Sequence, residues 1–396
     1  MAFILDVLSQ LNSADINIDQ QRCVRVRNRN ASCRRCADAC VSGCISYEDN
    51  QLRIEPGKCI GCATCASVCP ADALFPKKIS DEKLHADCLA VGEANDGRVV
   101  IACQDMLNAA DGLYDSARVA SVPCLGRVDC SLLLRLAADG AAKIILVQGA
   151  CDRCENSRGV QICANTIDVA NTLFETWNCP VRVEMKTHLP GYTRARRDEG
   201  FDRGRRAFLF SAKEEAKSAA IVMADVAMKD VLGEEAEHQP GLAHVDANGT
   251  LPHSVSQRRE ILLASLDVLE RRCGNPEDVM IDVSLWREVL IDLDTCNACR
   301  MCATFCPTGA NFKFKTTSGK IGVKHQVSKC VNCGLCADIC PTGALSYSSE
   351  VFARDISENA VERFLMADAK MDTTHDTMQT SIRGQMKSKG TFVTSA

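Results

Sequence analysis

Cys296-Asn297-Ala298-Cys299-Arg300-Met301-Cys302-Ala303-Thr304-Phe305-Cys306-Pro307 spaces four cysteines as C-x2-C-x2-C-x3-C-P, and Cys330, Cys333, Cys336 and Cys340 before Pro341 repeat the pattern. This spacing wraps a [4Fe–4S] cube: three close thiolates cap three irons, and the fourth, before the proline, reaches a neighbouring cube. Two consecutive runs therefore imply crossed ligation, with Cys296, Cys299, Cys302 and Cys340 around one cube and Cys330, Cys333, Cys336 and Cys306 around the other.

A second pair of runs lies near the start. Cys59, Cys62, Cys65 and Cys69 before Pro70 keep the spacing, whereas Cys33, Cys36, Cys40 and Cys44 carry one extra residue after the second cysteine and end on Ile45. Read by the same crossing rule, Cys33, Cys36, Cys40 and Cys69 hold one cube, and Cys59, Cys62, Cys65 and Cys44 the other. Cys23 reads as a plain buried thiol, with a spare ligand as its alternative. Zinc needs only two such pairs for its four ligands, while each run here holds four cysteines by itself. Disulfides fit poorly with cysteines two or three residues apart and no secretory signal before them.

The chain has 396 residues, 26 cysteines, 46% hydrophobic and only 5% aromatic residues, and a formal net charge of −5. That length implies two to four domains. Four cubes of about −2 each would bring the charge to about −13. Such a charge disfavours nucleic acid and acidic membrane surfaces and favours a partner with a basic patch. No run approaches about 18 apolar residues, so no membrane span is expected. Many thiols and no export signal point to a reducing cytoplasm.

The middle has another rhythm. β-Branched runs at 98–102, 118–122, 143–147 and 181–185 alternate with helical periodicity over 130–138 and 162–177. Alternation of this kind implies an α/β domain with a mostly parallel sheet. No dinucleotide or phosphate loop follows its strands. Cys103, Cys124, Cys151 and Cys154 fall where strands end, and strand ends of an open parallel sheet converge on one crevice. Four thiolates there suit a fifth centre, a [2Fe–2S] cluster or zinc.

Outside the domain, Ser254-x-x-Gln257 reads as a capping box opening a helix with Ile261, Leu262, Leu266 and Leu269 on one face. Helices are also expected in the lead-in and over 207–231. Short helix-like segments are expected at Ala310 and Ala344–Leu345, and a disordered end from Asp372. Cys88, Cys130, Cys163, Cys179 and Cys273 read as small buried hydrophobes.

The string Cys124-Leu125-Gly126-Arg127-Val128-Asp129, with Gly149-Ala150-Cys151-Asp152-Arg153-Cys154, resembles the iron–sulfur (delta) subunit of methyl-viologen-reducing hydrogenases over roughly residues 97–160. The resemblance implies one [2Fe–2S] cluster and a place beside hydrogenase, formate dehydrogenase or heterodisulfide reductase. The chain departs from that family in its two-residue gap between Cys151 and Cys154 and its lone Cys103. The flanking runs resemble bacterial two-cluster ferredoxins. The expected architecture is α+β ferredoxin-like modules flanking a central α/β domain: a lead-in (1–30), a module (31–80), the α/β domain (81–190), linker and helices (191–285), a second module (286–350) and a tail (351–396). The expected function is an electron-transfer subunit serving a flavoprotein, formate dehydrogenase or hydrogenase subunit in an anaerobic oxidoreductase. The alternatives are a thiol-redox or sulfur-transfer enzyme using Cys151 and Cys154, and a metalloenzyme maturation factor.

Overall fold

The computed structural model describes residues 15–195 and 249–366, and the backbone of two four-residue strands at Leu242–Val245 and Phe392–Ser395. The helix expected over 207–231, the first fourteen residues of the lead-in expected over 1–30 and nearly all of the tail from Asp372 lie outside the described residues.

The front module opens with β1 (Ile16–Ile18) and the single turn α1 (Val24–Arg27), followed by α2 (Arg35–Ala39). The hairpin β2 (Ile45–Glu48) and β3 (Gln51–Ile54) turns through Asp49 and Asn50, at φ 50° and 60°. Two left-handed residues suit the twist of a two-residue hairpin, and Asp and Asn tolerate that conformation best after glycine. α3 (Thr64–Ser67) and β4 (Leu74–Pro76) complete the module, with β4 antiparallel to β1.

The middle domain begins at α4 (Asp81–Ala94), where Ser80 accepts the Lys83 amide as N-cap. β5 (Arg98–Cys103), α5 (Gln104–Ala109), β6 (Ala120–Val122), α6 (Cys130–Ala138), β7 (Lys143–Val147), α7 (Arg158–Thr176) and β8 (Val183–Lys186) follow. All pairings in this four-stranded sheet are parallel, in the order β6-β5-β7-β8. The connection order reverses beside β5, so the crevice beyond the ends of β5 and β7 is the topological switch point. Near-continuous apolar runs explain a sheet covered on both faces: Val99 to Ala102 and Ile144 to Val147 are all buried.

β9 (Leu242–Val245) pairs in parallel with the C-terminal strand described below. α8 (Gln257–Cys273) lays Leu262, Leu266 and Leu269 against α6. Its N-cap is Ser256, whose hydroxyl accepts the Arg259 amide. The expected cap at Ser254 is thereby corrected: the Ser254 amide instead donates to the Pro307 carbonyl, tying this approach to the back module.

The back module contains β10 (Met280–Asp282), β11 (Glu288–Ile291), α9 (Met301–Thr304), β12 (Asn311–Lys315), β13 (Ile321–Gln326), α10 (Leu335–Asp338), β14 (Leu345–Ser348), β15 (Glu350–Phe352), α11 (Ala353–Ser357) and β16 (Val361–Leu365). The last strand, β17 (Phe392–Ser395), is β9's partner. The segments after Cys306-Pro307 and Cys340-Pro341 are strands, not helix-like: β12 alternates Phe312 and Phe314 with polar residues, and β14 pairs with β11. β16, beyond residue 350, is the third strand of the β12-β13-β16 sheet.

The two end modules pack on each other. Val24, Ala31 and Ala71 share an apolar cluster with Met301, Phe305, Leu335 and Ile339. Arg35 Nη2 donates to the Asn332 carbonyl at 2.5 Å, and the Ser32 amide and hydroxyl donate to the Asp338 carboxylate at 2.7 and 2.8 Å.

Candidate metal centres

In the back module, Cys306, Cys330, Cys333 and Cys336 line one cavity, with Tyr347 and His325 at its wall. Around Cys302 gather Cys296, Cys299, Cys336 and Cys340. The fourth cysteine of each run thus sits beside the first three of the other, as crossed ligation requires. Left-handed residues bracket the second cysteine of every regular run: Gly61 and Ala63 at φ 67° and 60°, Ala298 and Arg300 at 59° and 56°, Asn332 and Gly334 at 51° and 80°. Such kinks turn successive backbone N–H groups inward, forming a nest for negative charge.

The donor set fits an iron–sulfur core. Backbone amides already point at sulfur: Ala298 to Cys296 and Asn311 to Cys306, both at 3.4 Å, and Ala73 to Cys69 at 3.2 Å. Burial pushes the Cys69 and Cys336 thiols up to about 12, and mutual repulsion among thiols adds to this. Without a cationic core these groups are neutral; a coordinating metal deprotonates them outright. Arg27 is buried at the seam between modules. Its Nε donates to the Phe305 carbonyl at 3.3 Å, and its Nη2 has no partner among the described residues. The charged neighbours of this guanidinium are Cys306 and Cys333. No three His, Cys, Asp or Glu side chains among the described residues close on a single ion.

In the front module a cavity is lined by Cys33, Cys36, Cys69 and, unexpectedly, Cys23, with Tyr47 at its wall. Cys40 is not among its lining residues; its Sγ lies 3.5 Å from that of Cys44. Cys65 has Cys62, Cys36, Cys59 and Cys40 as its thiol neighbours.

In the middle domain Cys103 ends β5, and its sulfur accepts the Gly149 amide at 3.2 Å. Cys124 faces Cys103 and Cys154, and Cys151 faces the same two. The four cysteines thus lie on the side of the sheet where β5 and β7 end, near enough that Cys103 and Cys154 add to burial in pushing the Cys124 and Cys151 thiols up. Sulfur acceptors recur here: Gly126 donates to Cys124 and Asn156 to Cys154, each at 3.4 Å. Cys124 also faces Cys62 of the front module, a proximity no spacing rule announces.

The Leu125–Arg127 turn makes that approach possible. Ser67 Oγ donates to the Gly126 carbonyl at 2.5 Å. A Cβ on Gly126 would lie 2.7 Å from Thr64 Oγ1 and 2.9 Å from the Gly159 Cα, and one on Gly159 would strike the Cys124 sulfur. Gly126→Ala is therefore expected to cost about 1–3 kcal/mol by overpacking, read as a lower thermal midpoint with the iron content unchanged or reduced; an unshifted midpoint would contradict the close approach.

The comparisons point to the same chemistry as these cysteine runs. The 4Fe–4S dicluster domain matches residues 295–344, a 4Fe–4S binding domain matches residues 52–75, and the delta subunit of methyl-viologen-reducing hydrogenase matches residues 99–195. The chain thus carries 4Fe–4S ferredoxin domains at both ends and a hydrogenase delta-subunit domain between them. A ferredoxin of Streptomyces griseus is 34% identical over 55 residues, 14% of this chain and 48% of that protein. A ferredoxin 7Fe of Hydrogenibacillus schlegelii is 33% identical over 48 residues, 12% of this chain and 62% of that protein. The chain therefore spans about half to three-fifths of these relatives' length. No solved structure matches. No helix among the described residues is long and apolar enough to cross a membrane.

Proposed function

We propose that this chain is a multi-cluster electron-transfer subunit of an anaerobic oxidoreductase, with four [4Fe–4S] cubes in its end modules and a [2Fe–2S] centre at Cys103, Cys124, Cys151 and Cys154. The observation that carries this reading is the continuity of its thiol sites. Cys151 and Cys154 are half-buried beyond the end of β7; Cys124 has Cys62 among its thiol neighbours; and Cys33 and Cys333 flank the apolar seam joining the end modules. Bound at these thiols, iron–sulfur groups would supply one-electron storage, their potentials set by burial, N–H···S bonds and nearby charge. The protein's part is to hold the thiolates, aim amides at them and exclude water from the seams.

The middle domain is the docking site in this reading, for a flavoprotein or a formate dehydrogenase or hydrogenase subunit. The delta-subunit match supports that class of partner. The rival reading, a thiol catalyst at Cys151 and Cys154, needs a depressed thiol pKa. Burial and the neighbouring Cys103 and Cys154 push Cys151 up instead.

Iron, zinc and acid-labile sulfide in anaerobically purified protein, with EPR of the dithionite-reduced state, provide the test. About eighteen irons and eighteen sulfides with a distinct [2Fe–2S] signal are expected. About sixteen irons with one zinc would remove the fifth redox centre. About eight irons or fewer in fully loaded protein would sink the four-cube reading.

A further inference from the structure

The two end modules can be laid over each other by their own side chains. In the back module Tyr347 OH lies 3.5 Å from Cys336 Sγ, and Arg287 stacks over its ring at 4.9 Å. In the front module Tyr47 OH lies 2.9 Å from Cys36 Sγ, and Arg25 stacks over its ring at 4.4 Å. Each tyrosine follows its cysteine by the same interval, so Cys36 takes the place of Cys336, Cys33 that of Cys333 and Cys40 that of Cys340. In this register the front run has the regular spacing. Its first position is then residue 30, which is an exposed asparagine.

The ligand missing at position 30 is supplied from elsewhere. Cys330 lies against the backbone of Arg287, the arginine stacked on Tyr347. Cys23 lies against the backbone of Arg25, the arginine stacked on Tyr47. Cys23 also lines the cavity with Cys33, Cys36 and Cys69, just as Cys330 lines the other with Cys333, Cys336 and Cys306. The remaining thiols correspond too. The neighbours of Cys65 are Cys62, Cys36, Cys59 and Cys40; those of Cys302 are Cys299, Cys336, Cys296 and Cys340. The backbone gives the reason for the substitution. Arg34, before α2, has φ −131°, whereas its counterpart Gly334 is left-handed at φ 80°. Arg34 lacks that kink, and Cys23 and Val24, at the start of the turn, line the cavity instead.

We propose, on the basis of the four-cube reading above, that Cys23 completes the ligand set of Cys33, Cys36 and Cys69, that Cys40 joins Cys59, Cys62 and Cys65, and that Cys44 ligates nothing. The apparent extra residue in the Cys33–Cys44 run is then an artefact of counting Cys44 as a ligand. Cys44 is a buried thiol beside Cys40 with Cys59 also near it, and in this register it is left over once Cys40 completes that set.

The test uses the full chain purified anaerobically, with iron and sulfide counts and EPR in both oxidation states. The wild type is measured first: if it lacks four cubes, the four-cube reading fails before any variant is considered. Given a wild type with four, Cys44→Ser is expected to keep its full iron complement and every signal. Cys23→Ser is expected to lose about one to four irons, with one cube's signal replaced by a [3Fe–4S] signal or gone. Cys23→Asp keeps a ligating oxygen and is expected to shift the spectrum of one cube only, which gives a reading should the serine variant fail to fold. Loss of a cube in Cys44→Ser, or an unaltered complement and spectrum in Cys23→Ser or Cys23→Asp, would overturn the assignment.

Discussion

Replacing Arg258 by Met is expected to cost about 3–5 kcal/mol, the penalty typical of removing one partner from a buried ionic network. Arg258, on the first turn of α8, is buried against three carboxylates. Its Nε lies 3.1 Å from Asp81 and 3.3 Å from Asp129, and its Nη1 3.6 Å from Asp72. Its backbone amide donates to Asp72 at 2.9 Å, and its Nη1 donates to the Ala66 carbonyl. Arg127, also buried, pairs with Asp81 and Asp129. One guanidinium thus ties the front module, α4, the start of α6 and α8 together.

Burial pushes Asp72 above the usual carboxylate range even with Arg258 present, whereas Arg258 and Arg127 outweigh burial at Asp81 and hold it below. Methionine fills much of the volume but leaves Asp72 and Asp129 short of a cation. Raising a folded-state carboxyl pKa makes the folded form bind more protons than the unfolded one, so the deficit is largest near pH 8 and narrows as pH falls toward 5. A thermal midpoint lower by about 5–15 °C is the corresponding readout. Arg258→Lys should recover only part of the loss, because an ammonium cannot face three carboxylates and a carbonyl at once. A midpoint unchanged in Arg258→Met would show that the seam is held by apolar packing alone.

None of that network is legible in the chain. Asp72, Asp81, Asp129 and Arg258 come from four separate segments, and their convergence depends on tertiary packing. What is legible follows from local periodicity. The parallel sheet was readable because a strand buried on both faces needs an unbroken apolar run, and Lys143–Val147 and Cys130–Ala138 fall where the pattern puts them. The placing of Cys103, Cys124, Cys151 and Cys154 at one end of the sheet is what parallel strands lead one to expect, because they deliver their ends to one edge. The place of Cys23 is not legible: spacing shows which cysteines are near in sequence, but Cys23 lines the front cavity from just before the turn at Val24–Arg27, and the register proposed above rests on the matching tyrosines and arginines of the two modules. The cap of α8 was misplaced by two residues for a related reason: both Ser254 and Ser256 are competent caps, and the contact of Ser254 with Pro307 decides between them.

On the four-cube reading proposed above, the Arg27 guanidinium should set the potential of the cube assigned to Cys306, Cys330, Cys333 and Cys336. It is the buried cation at the module seam, its charged neighbours are two of those thiols, and burial already pulls its own pKa down while they pull it up. Reduction adds one negative charge to the cube, so a fixed positive charge nearby favours the reduced form. At an effective dielectric of 20 and roughly 8 Å, one unit charge contributes about 2 kcal/mol, equivalent to on the order of 80 mV for a one-electron couple. Arg27→Met is therefore expected to lower the midpoint potential of one cube by about that amount, followed by EPR-monitored redox titration of protein with verified iron content. Arg27→Lys, which keeps the charge but not the bond to the Phe305 carbonyl, should restore most of the potential while leaving the seam weaker. The sign discriminates between causes. Loosening of the seam alone would admit water, which stabilises the more highly charged reduced cube and raises the potential. A fall in Arg27→Met that Arg27→Lys reverses can come only from the lost charge, whereas a rise in both variants would assign Arg27 a packing role and leave the potential to the backbone amides.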